Sequence, residues 1–305
     1  MSRPTTRRTT PRRILAPLAA GAVLAATLVA CGEEDVAPGD PGTPSESATE
    51  TADDGAGTPA PSSEPTATET GEPTAVAAYF VVDGPRGPVL TREFQQASDG
   101  GLPGALELLA GEPLDPDYTN LVAGWVGGAE QADGEIRVTV SGPAPGAALD
   151  VDPALAVQQV VLTLQAAVGD TLPVRFVDSS GAEVGELGGA TNPVSAAPAL
   201  ETLLPVSIDD PAEGSTVSGT FTARGRANTF ENTVVWRVLD GEEVVLEGFT
   251  THEGSWTEER LHAWETEIDA SGLEPGSYTL VVTSDDVSGG EGPGPAQDTK
   301  DVTIG

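Results

Sequence analysis

The sequence predicts an α+β protein: a two-layer α/β sandwich followed by an antiparallel β-sandwich. Between residues 75 and 190, apolar runs of strand length alternate with two stretches of helical periodicity. From residue 205 to residue 305, short alternating runs are separated by turn signals about every ten residues. A Pro/Ala-rich segment, residues 191–204, is expected to link the two blocks, each of which has the usual size of a domain.

The N-terminal block begins with a strand and a short helix. The apolar run AVAAYFVVDG, residues 75–84, predicts a buried strand that ends in an Asp-Gly turn. Leu102, Leu106 and Leu109 recur at helical spacing and predict a helix that stops at Gly111 and Pro113.

A second strand and a longer helix follow. In EIRVTVSG, residues 135–142, the apolar residues alternate on one face of a predicted strand. Asp152 as N-cap and Pro153 at the first helical position predict the start of a helix. The apolar stripe of that helix comprises Leu155, Val160, Val161, Leu164 and Val168. LPVRFVDSSG, residues 172–181, predicts a closing strand and turn.

This block, residues 75–190, resembles the GerMN domain of sporulation, spore-germination and envelope lipoproteins. The resemblance lies in VAAYF at residues 76–80, ALELLAG at residues 105–111 and QVVLTL at residues 159–164. It implies a GerMN-like two-layer α/β sandwich.

The C-terminal block contains seven predicted strands: Val206 to Asp209, Thr216 to Ala227, Asn232 to Leu239, Glu243 to Phe249, Trp264 to Ile268, Ser277 to Ser284 and Thr299 to Ile304. Alternation predicts two core faces, formed by Val234, Trp236 and Val238 and by Tyr278, Leu280 and Val282. LEPGSYTL predicts a tyrosine corner in which the Tyr278 hydroxyl bonds to nearby main chain. Because the chain has one cysteine, no intramolecular disulfide can form, and burial around Trp236 is expected to supply the stability.

Residues 205–305 resemble the immunoglobulin-like domain of bacterial spore germination. The resemblance lies in IDDPAEGSTVSG at residues 208–219, GRANTFENTVVWRVLDG at residues 225–241 and EGFTT at residues 247–251. It implies an immunoglobulin-like β-sandwich in a protein associated with sporulation or germination. A fold of this kind does not by itself establish a function.

The first 30 residues have the layout of a secretory signal peptide, with five arginines, no acid and 17 mostly apolar residues. Leu28, Val29, Ala30 and Cys31 resemble the bacterial lipobox, which implies a covalent diacylglycerol on Cys31 and no other cofactor. A single-pass helix is the alternative, but it needs about 20 residues to span ~30 Å. The expected location is the extracytoplasmic face of the cell membrane, with two acyl chains giving a stable anchor.

Residues 31–74 are predicted to be a disordered acidic tether rich in Thr, Pro and Ser, because they contain too little apolar surface to offset chain entropy. The whole chain carries a formal net charge of −34. Since the first 30 residues hold five arginines and no acid, the remainder carries −39. Such a charge excludes nucleic acid as a partner, and the single lysine, Lys300, excludes a P-loop.

Two groups of titratable residues are candidate metal sites. His252 and His262, with glutamates between them, match no ligand spacing and are predicted to be exposed loop residues. A set of acidic residues near a Gly-rich loop could bind calcium or form a solvated acidic face, and the second interpretation is favoured. That set comprises Asp285, Asp286, Glu291, Asp298 and Asp301.

Aromatic residues supply the remaining candidate site. Trp256, Phe230 and Glu231 are candidates for a partner or glycan surface, whereas Trp264 is expected in the core. The alternative places Phe230 in the core and pairs Glu231 locally. No nucleophile and base stand in a recognised catalytic pattern, so no enzymatic activity is expected.

The sequence therefore predicts a lipid-anchored, non-enzymatic adaptor protein of the cell envelope, with an envelope protein as its partner. The alternative is a receptor lipoprotein for a solute or a cell-wall glycan. An adaptor requires an exposed apolar or strand-edge patch, whereas a receptor requires a concave polar pocket between the two domains.

Overall fold

The computed structural model describes residues 73–146, 151–284 and 292–305, which belong to one compact unit, Thr66–Gly305. The predicted signal peptide, the lipobox at residues 28–31 and the tether lie outside the described residues, apart from the last two positions of the tether. Asp285, Asp286 and Glu291 also lie outside them. The described part is a mixed α/β structure dominated by strands in several sheets.

The first half, residues 73–204, contains five strands and three helices. They are β1 (Thr74–Gly84), β2 (Gly87–Ala97), α1 (Gly101–Ala110), β3 (Val126–Ala132), β4 (Glu135–Val140), α2 (Pro153–Val168), β5 (Val174–Val177) and α3 (Ala199–Thr202). Strands β1 and β2 form an antiparallel hairpin. Strand β4 pairs with β3 in antiparallel and with β5 in parallel orientation.

Helix α2 is the central helix of this half. Asp152 caps it as predicted, since its carboxylate accepts a hydrogen bond from the Ala154 amide at 2.9 Å. Gly169, with φ of 74°, ends the helix in the left-handed conformation. Val160, Val161 and Leu164 are fully buried, whereas Leu155 and Val168 are half-buried.

Two polar side chains on α2 are also fully buried, which the apolar stripe did not predict. Thr163 accepts a hydrogen bond from the Tyr79 amide of β1 at 3.0 Å. Gln159 accepts one from the Leu121 amide and donates one to Asn120. These bonds join the helix to the hairpin and to the loop before β3.

Strands β2 and β3 were not predicted. The sequence of β2 alternates poorly, because Thr91 and Glu93 are buried on it beside Leu90. The sequence of β3, VGGAEQA, contains two glycines and one large apolar residue. Both strands owe their formation to a neighbouring strand, and local sequence carries little of that information.

The second half, residues 205–305, contains eight strands. They are β6 (Val206–Asp210), β7 (Ser215–Val217), β8 (Thr220–Ala227), β9 (Thr233–Asp240), β10 (Glu243–Thr251), β11 (His262–Asp269), β12 (Gly276–Thr283) and β13 (Gln297–Ile304). One sheet has the order β10-β9-β12-β13-β7 and the other the order β11-β8-β6. This arrangement is consistent with an immunoglobulin-like sandwich. The predicted strand from Thr216 to Ala227 is split at Gly219, whose φ is 57°.

The core of this half corrects one prediction. Trp236 is only half-buried, and the tryptophan at the centre is Trp264, which is 2% exposed. The indole crosses over β8 at Gly225, where a side chain would block it, and its nitrogen donates to the carbonyl of Ser207 in β6 at 3.1 Å. The tyrosine corner is present, with the Tyr278 hydroxyl donating to the carbonyl of Glu274 at 2.9 Å.

The segment 191–204, predicted as a linker, packs closely on the first half. Val194 is buried and exchanges two backbone hydrogen bonds with Val174 of β5. The Leu204 amide donates to the carbonyl of Leu90 in β2 at 2.8 Å. The chain therefore passes along β2 before it enters β6.

None of the helices formed by the described residues has both the length and the apolar character needed to cross a membrane.

Candidate functional site

A buried polar cluster joins the two halves. Lys300 of β13 is 2% exposed and donates to a carboxylate oxygen of Asp115 and, at 2.7 Å, to the hydroxyl of Tyr118. The same hydroxyl donates to Asp298 at 2.7 Å. The other oxygen of Asp298 accepts from the Ile208 amide of β6 at 2.6 Å. We call Lys300, Asp115, Tyr118 and Asp298 the Lys300 cluster. Each charged group in it forms a hydrogen bond with a residue of the other half or of a neighbouring strand.

The prediction that Asp298 belongs to a solvated acidic face is wrong, because this carboxylate is buried. The sequence contained a signal for this position. Residues 298, 300, 302 and 304 share one face of β13 by the two-residue period of a strand, and Val302 and Ile304 are core residues. Asp298 and Lys300 therefore had to point inward, where a buried charge requires a partner.

Burial raises the pKa of Asp298 to about 6, although the nearby Lys300 and the bonds from Tyr118 and Ile208 act in the opposite direction. Burial, followed by the Asp298 carboxylate, also raises the pKa of the Tyr118 hydroxyl far above its ordinary value. Tyr118 therefore keeps its proton and remains the donor to Asp298.

The raised pKa of Asp298 predicts a pH dependence of stability. A carboxyl with a pKa of about 6 in the folded state and about 3.9 when unfolded binds its proton more tightly in the folded protein. Its contribution to the free energy of unfolding is complete below pH ~4 and is lost as the pH rises to ~6, by about 2–3 kcal/mol. Urea denaturation of the wild type and of Asp298→Asn at several pH values should show the difference between them changing across this window. Parallel stability curves for the two proteins would contradict the prediction.

A second contact between the halves is the ion pair of Arg92, from β2, with Asp209, from β6. The guanidinium makes two hydrogen bonds to the carboxylate, one of them from Nε to Oδ1 at 3.1 Å. Both side chains are largely buried. Together with the Lys300 cluster, this bidentate pair fixes the first half against the open edge of β6.

The two histidines are buried, which corrects the prediction that they are exposed loop residues. Their rings stack with centroids 5.3 Å apart and planes 5° apart. The Thr229 amide donates to Nε2 of His252, so this ring carries its proton on Nδ1 and donates to the carbonyl of Glu253. Nε2 of His262 lies 3.9 Å from a carboxylate oxygen of Glu258. In the described part of the chain, no group of three or more His, Cys, Asp or Glu could hold a metal ion.

Phe230 and Trp256 form an exposed aromatic pair, with ring centroids 5.1 Å apart and planes tilted by 59°. Their exposed fractions are 44% and 42%, so Phe230 is not the core residue that the alternative interpretation required. Glu231, also exposed, follows Phe230 directly and adopts a φ of 52°. We call Phe230, Glu231 and Trp256 the aromatic platform.

Asn232 holds this platform in place. It too has a positive φ, 63°, which is uncommon for two successive residues other than glycine. Its side chain accepts from the Trp256 amide at 2.9 Å and donates to the carbonyl of Gly254 at 3.0 Å. Its own carbonyl accepts from the His252 amide. The turn and the three bonds fix the main chain that carries Trp256 beside Phe230. Backbone strain of this kind is often found at functional sites.

Strand β10 adds a second apolar surface. It stands at the edge of the five-stranded sheet formed by the described residues. Phe249 on this strand is 73% exposed and lies opposite Val235 of β9. A long edge strand with an exposed aromatic residue can pair with another chain.

A polar groove lies on the outer face of the three-stranded sheet. It consists of two clefts, of about 470 Å³ and about 530 Å³, which share Arg226, Glu253 and Ala263. Arg92 lines one cleft and Leu203 the other, so both halves contribute to the groove. The sequence did not predict it, because its residues come from six separate segments of the chain.

None of the curated proteins matches the sequence. The endo-β-1,4-mannanase from Thermotoga petrophila shares 15% identity over 32% of this chain and 19% of its own, with a TM-score of 0.24. A lytic polysaccharide monooxygenase from Jonesia denitrificans shares 14% identity over 31% of this chain and 60% of its own, with a TM-score of 0.21. Neither likeness is close enough to bear on fold or function.

A family model does match. Residues 205–291 fit the immunoglobulin-like domain of bacterial spore germination. The match covers the β-sandwich from β6 through β12, including the aromatic platform, Arg226 and Glu253. Residues 205–291 therefore match an immunoglobulin-like domain that is linked to bacterial spore germination, and strands β6 to β12 are consistent with that fold.

Proposed function

We propose that this protein is a lipid-anchored, non-enzymatic adaptor on the extracytoplasmic face of the cell membrane, with an envelope protein as its partner. The aromatic platform is the observation that carries this function. A diacylglycerol on Cys31 supplies the anchor, and residues 31–74 act as the tether. The first half would be a GerMN-like domain, in keeping with its resemblance to that family.

The platform has the properties of a protein-binding surface. Aromatic residues are enriched in protein interfaces, because a rigid ring buries a large area at a small entropic cost. The side chain of Asn232 bonds to the main chain at Trp256 and Gly254, so binding would not have to order the backbone that carries Trp256.

Charge identifies the chemistry of the partner. Glu231 belongs to the platform, and the exposed Glu253 and Glu259 lie on the loop that carries Trp256. The chain beyond residue 30 has a net charge of −39. A protein with a basic surface is therefore the matching partner, since lysine and arginine can pair with these carboxylates and stack on the rings.

The alternative function is a receptor for a solute or a cell-wall glycan. The polar groove favours it, because binding sites commonly lie in concave surfaces at domain interfaces. In that case the exposed Trp256 could also stack on a sugar ring.

Photo-crosslinking in living cells tests the adaptor function. A photoreactive amino acid replaces Thr257, beside Trp256, and crosslinked products in membrane fractions are identified by mass spectrometry. We expect one discrete envelope protein with a basic surface. The added substitution Trp256→Ala should abolish the product, and Cys31→Ser should abolish both acyl labelling and cleavage before residue 31.

A photoreactive residue at Gln131, in β3 of the first half, serves as the control and should give no such product. Crosslinks to cell-wall material alone would support the receptor function instead. An identical product from both positions, or one that survives Trp256→Ala, would contradict the adaptor surface.

A further inference from the structure

The polar groove has an unpaired positive charge on its floor. Arg226 lies on β8, the central strand of its sheet, one position before the strand ends. Its side chain is on the exposed face of the sheet, the same face as Arg224. Among the described residues, its guanidinium has no ion pair or hydrogen bond. Arg92 and Arg224, in the same cleft, are paired with Asp209 and Asp210. Arg226 thus keeps five donors for a ligand in a chain with a large excess of acid.

Small neighbours leave the space above Arg226 open. Across the strand it faces Ala263 of β11 on one side and Ser207 of β6 on the other. Neither side chain is long enough to cover the guanidinium. The walls of the groove are formed by longer charged residues, including Arg92, Glu253 and Glu265.

Glu253 provides an opposite charge at a defined distance. Its amide donates to the carbonyl of Ala263 at 2.8 Å. Strand β11 therefore lies between Glu253 and Arg226. Two strand spacings separate the backbones of Glu253 and Arg226, or about 10 Å. The carboxylate of Glu253 forms no hydrogen bond or ion pair with any described residue, and it does not pair with Arg226, although both line the two clefts.

We propose that the groove binds a short zwitterionic ligand, such as a dipeptide, between Arg226 and Glu253. The ligand carboxylate would accept two hydrogen bonds from Arg226, and its ammonium group would donate to Glu253. A dipeptide fits the span, because each residue extends by about 3.3–3.6 Å and the two side chains reach toward it. The site deepens the alternative, receptor function and is separate from the aromatic platform.

Titration of the protein with dialanine, followed by NMR, tests this site. We expect saturable shifts of amide signals in β8 and β11 at ligand concentrations up to about 20 mM. Dialanine with an amidated carboxyl should bind at least about tenfold more weakly, because it loses the charged contact to Arg226. N-acetylated dialanine should also bind more weakly, since it loses the contact to Glu253.

Two variants separate the contacts. Arg226→Gln should weaken dialanine and N-acetyl-dialanine alike by about ten- to a hundredfold. Glu253→Gln should weaken dialanine only. Arg137→Gln, an exposed arginine of β4, is the matched control and should change neither affinity.

The site is overturned if dialanine gives no saturable shift, if its amidated form binds as well, or if Arg226→Gln has no effect. An uncharged glycan that shifts the same amides would preserve the receptor function and refute the zwitterionic ligand. The crosslinks at Thr257 are independent of all these outcomes, so failure of this site leaves the adaptor function standing.

Discussion

Replacing Lys300 by methionine should lower the free energy of unfolding by about 3–5 kcal/mol, because Asp115 would remain buried without its cation. The hydroxyl of Tyr118 would also lose its donor. Urea denaturation at pH 7 measures the effect, with Arg137→Met, an exposed arginine, as the control that should unfold like the wild type.

A double-mutant cycle separates the pair from its surroundings. Asp115→Asn in the Lys300→Met background should restore much of the lost stability, since it removes the unpaired charge. Equal destabilisation in the single and double variants would mean that the ion pair itself contributes little and that the loss comes from packing.

Truncating Trp264 to alanine should destabilise the second half by about 3–5 kcal/mol. The side chain packs over Gly225 of β8, and its indole nitrogen donates to the Ser207 carbonyl of β6. Trp256→Ala is the matched control, because it removes the same side chain from the surface eight positions earlier in the chain.

Thermal unfolding followed by circular dichroism distinguishes the two tryptophans. The Trp264→Ala variant should melt many degrees lower, whereas Trp256→Ala should melt close to the wild type and lose only the crosslinked partner. A large loss of stability in Trp256→Ala would show that the platform is part of the core and would weaken its assignment as a binding surface.

Features that depend on neighbouring residues in sequence could be predicted. The cap at Asp152 and the tyrosine corner at Tyr278 each require only a few consecutive residues. Six of the eight strands that the described residues form in the second half follow individually from alternation and turns. The other two, β7 and β8, were predicted as one, because Gly219 breaks one long run into two strands of different sheets.

The surfaces that bear on function were harder to predict. Lys300 and Asp115 are 185 positions apart, and no local pattern links them. Phe230 was predicted at the surface with the core as the alternative, because sequence does not show that the two residues after it have positive φ. Most residues of the groove belong to the second half, and Arg92, Ala199 and Leu203 of the first half add to its walls, so no local pattern predicts it.

The burial of the only lysine has a practical consequence. Reagents that acylate amines find no accessible side-chain target in the described residues while the two halves remain together. Labelling of Lys300 therefore reports the opening of their interface. The rate of this labelling, measured with and without a partner or a bound peptide, would report how often the two halves separate, without any introduced probe.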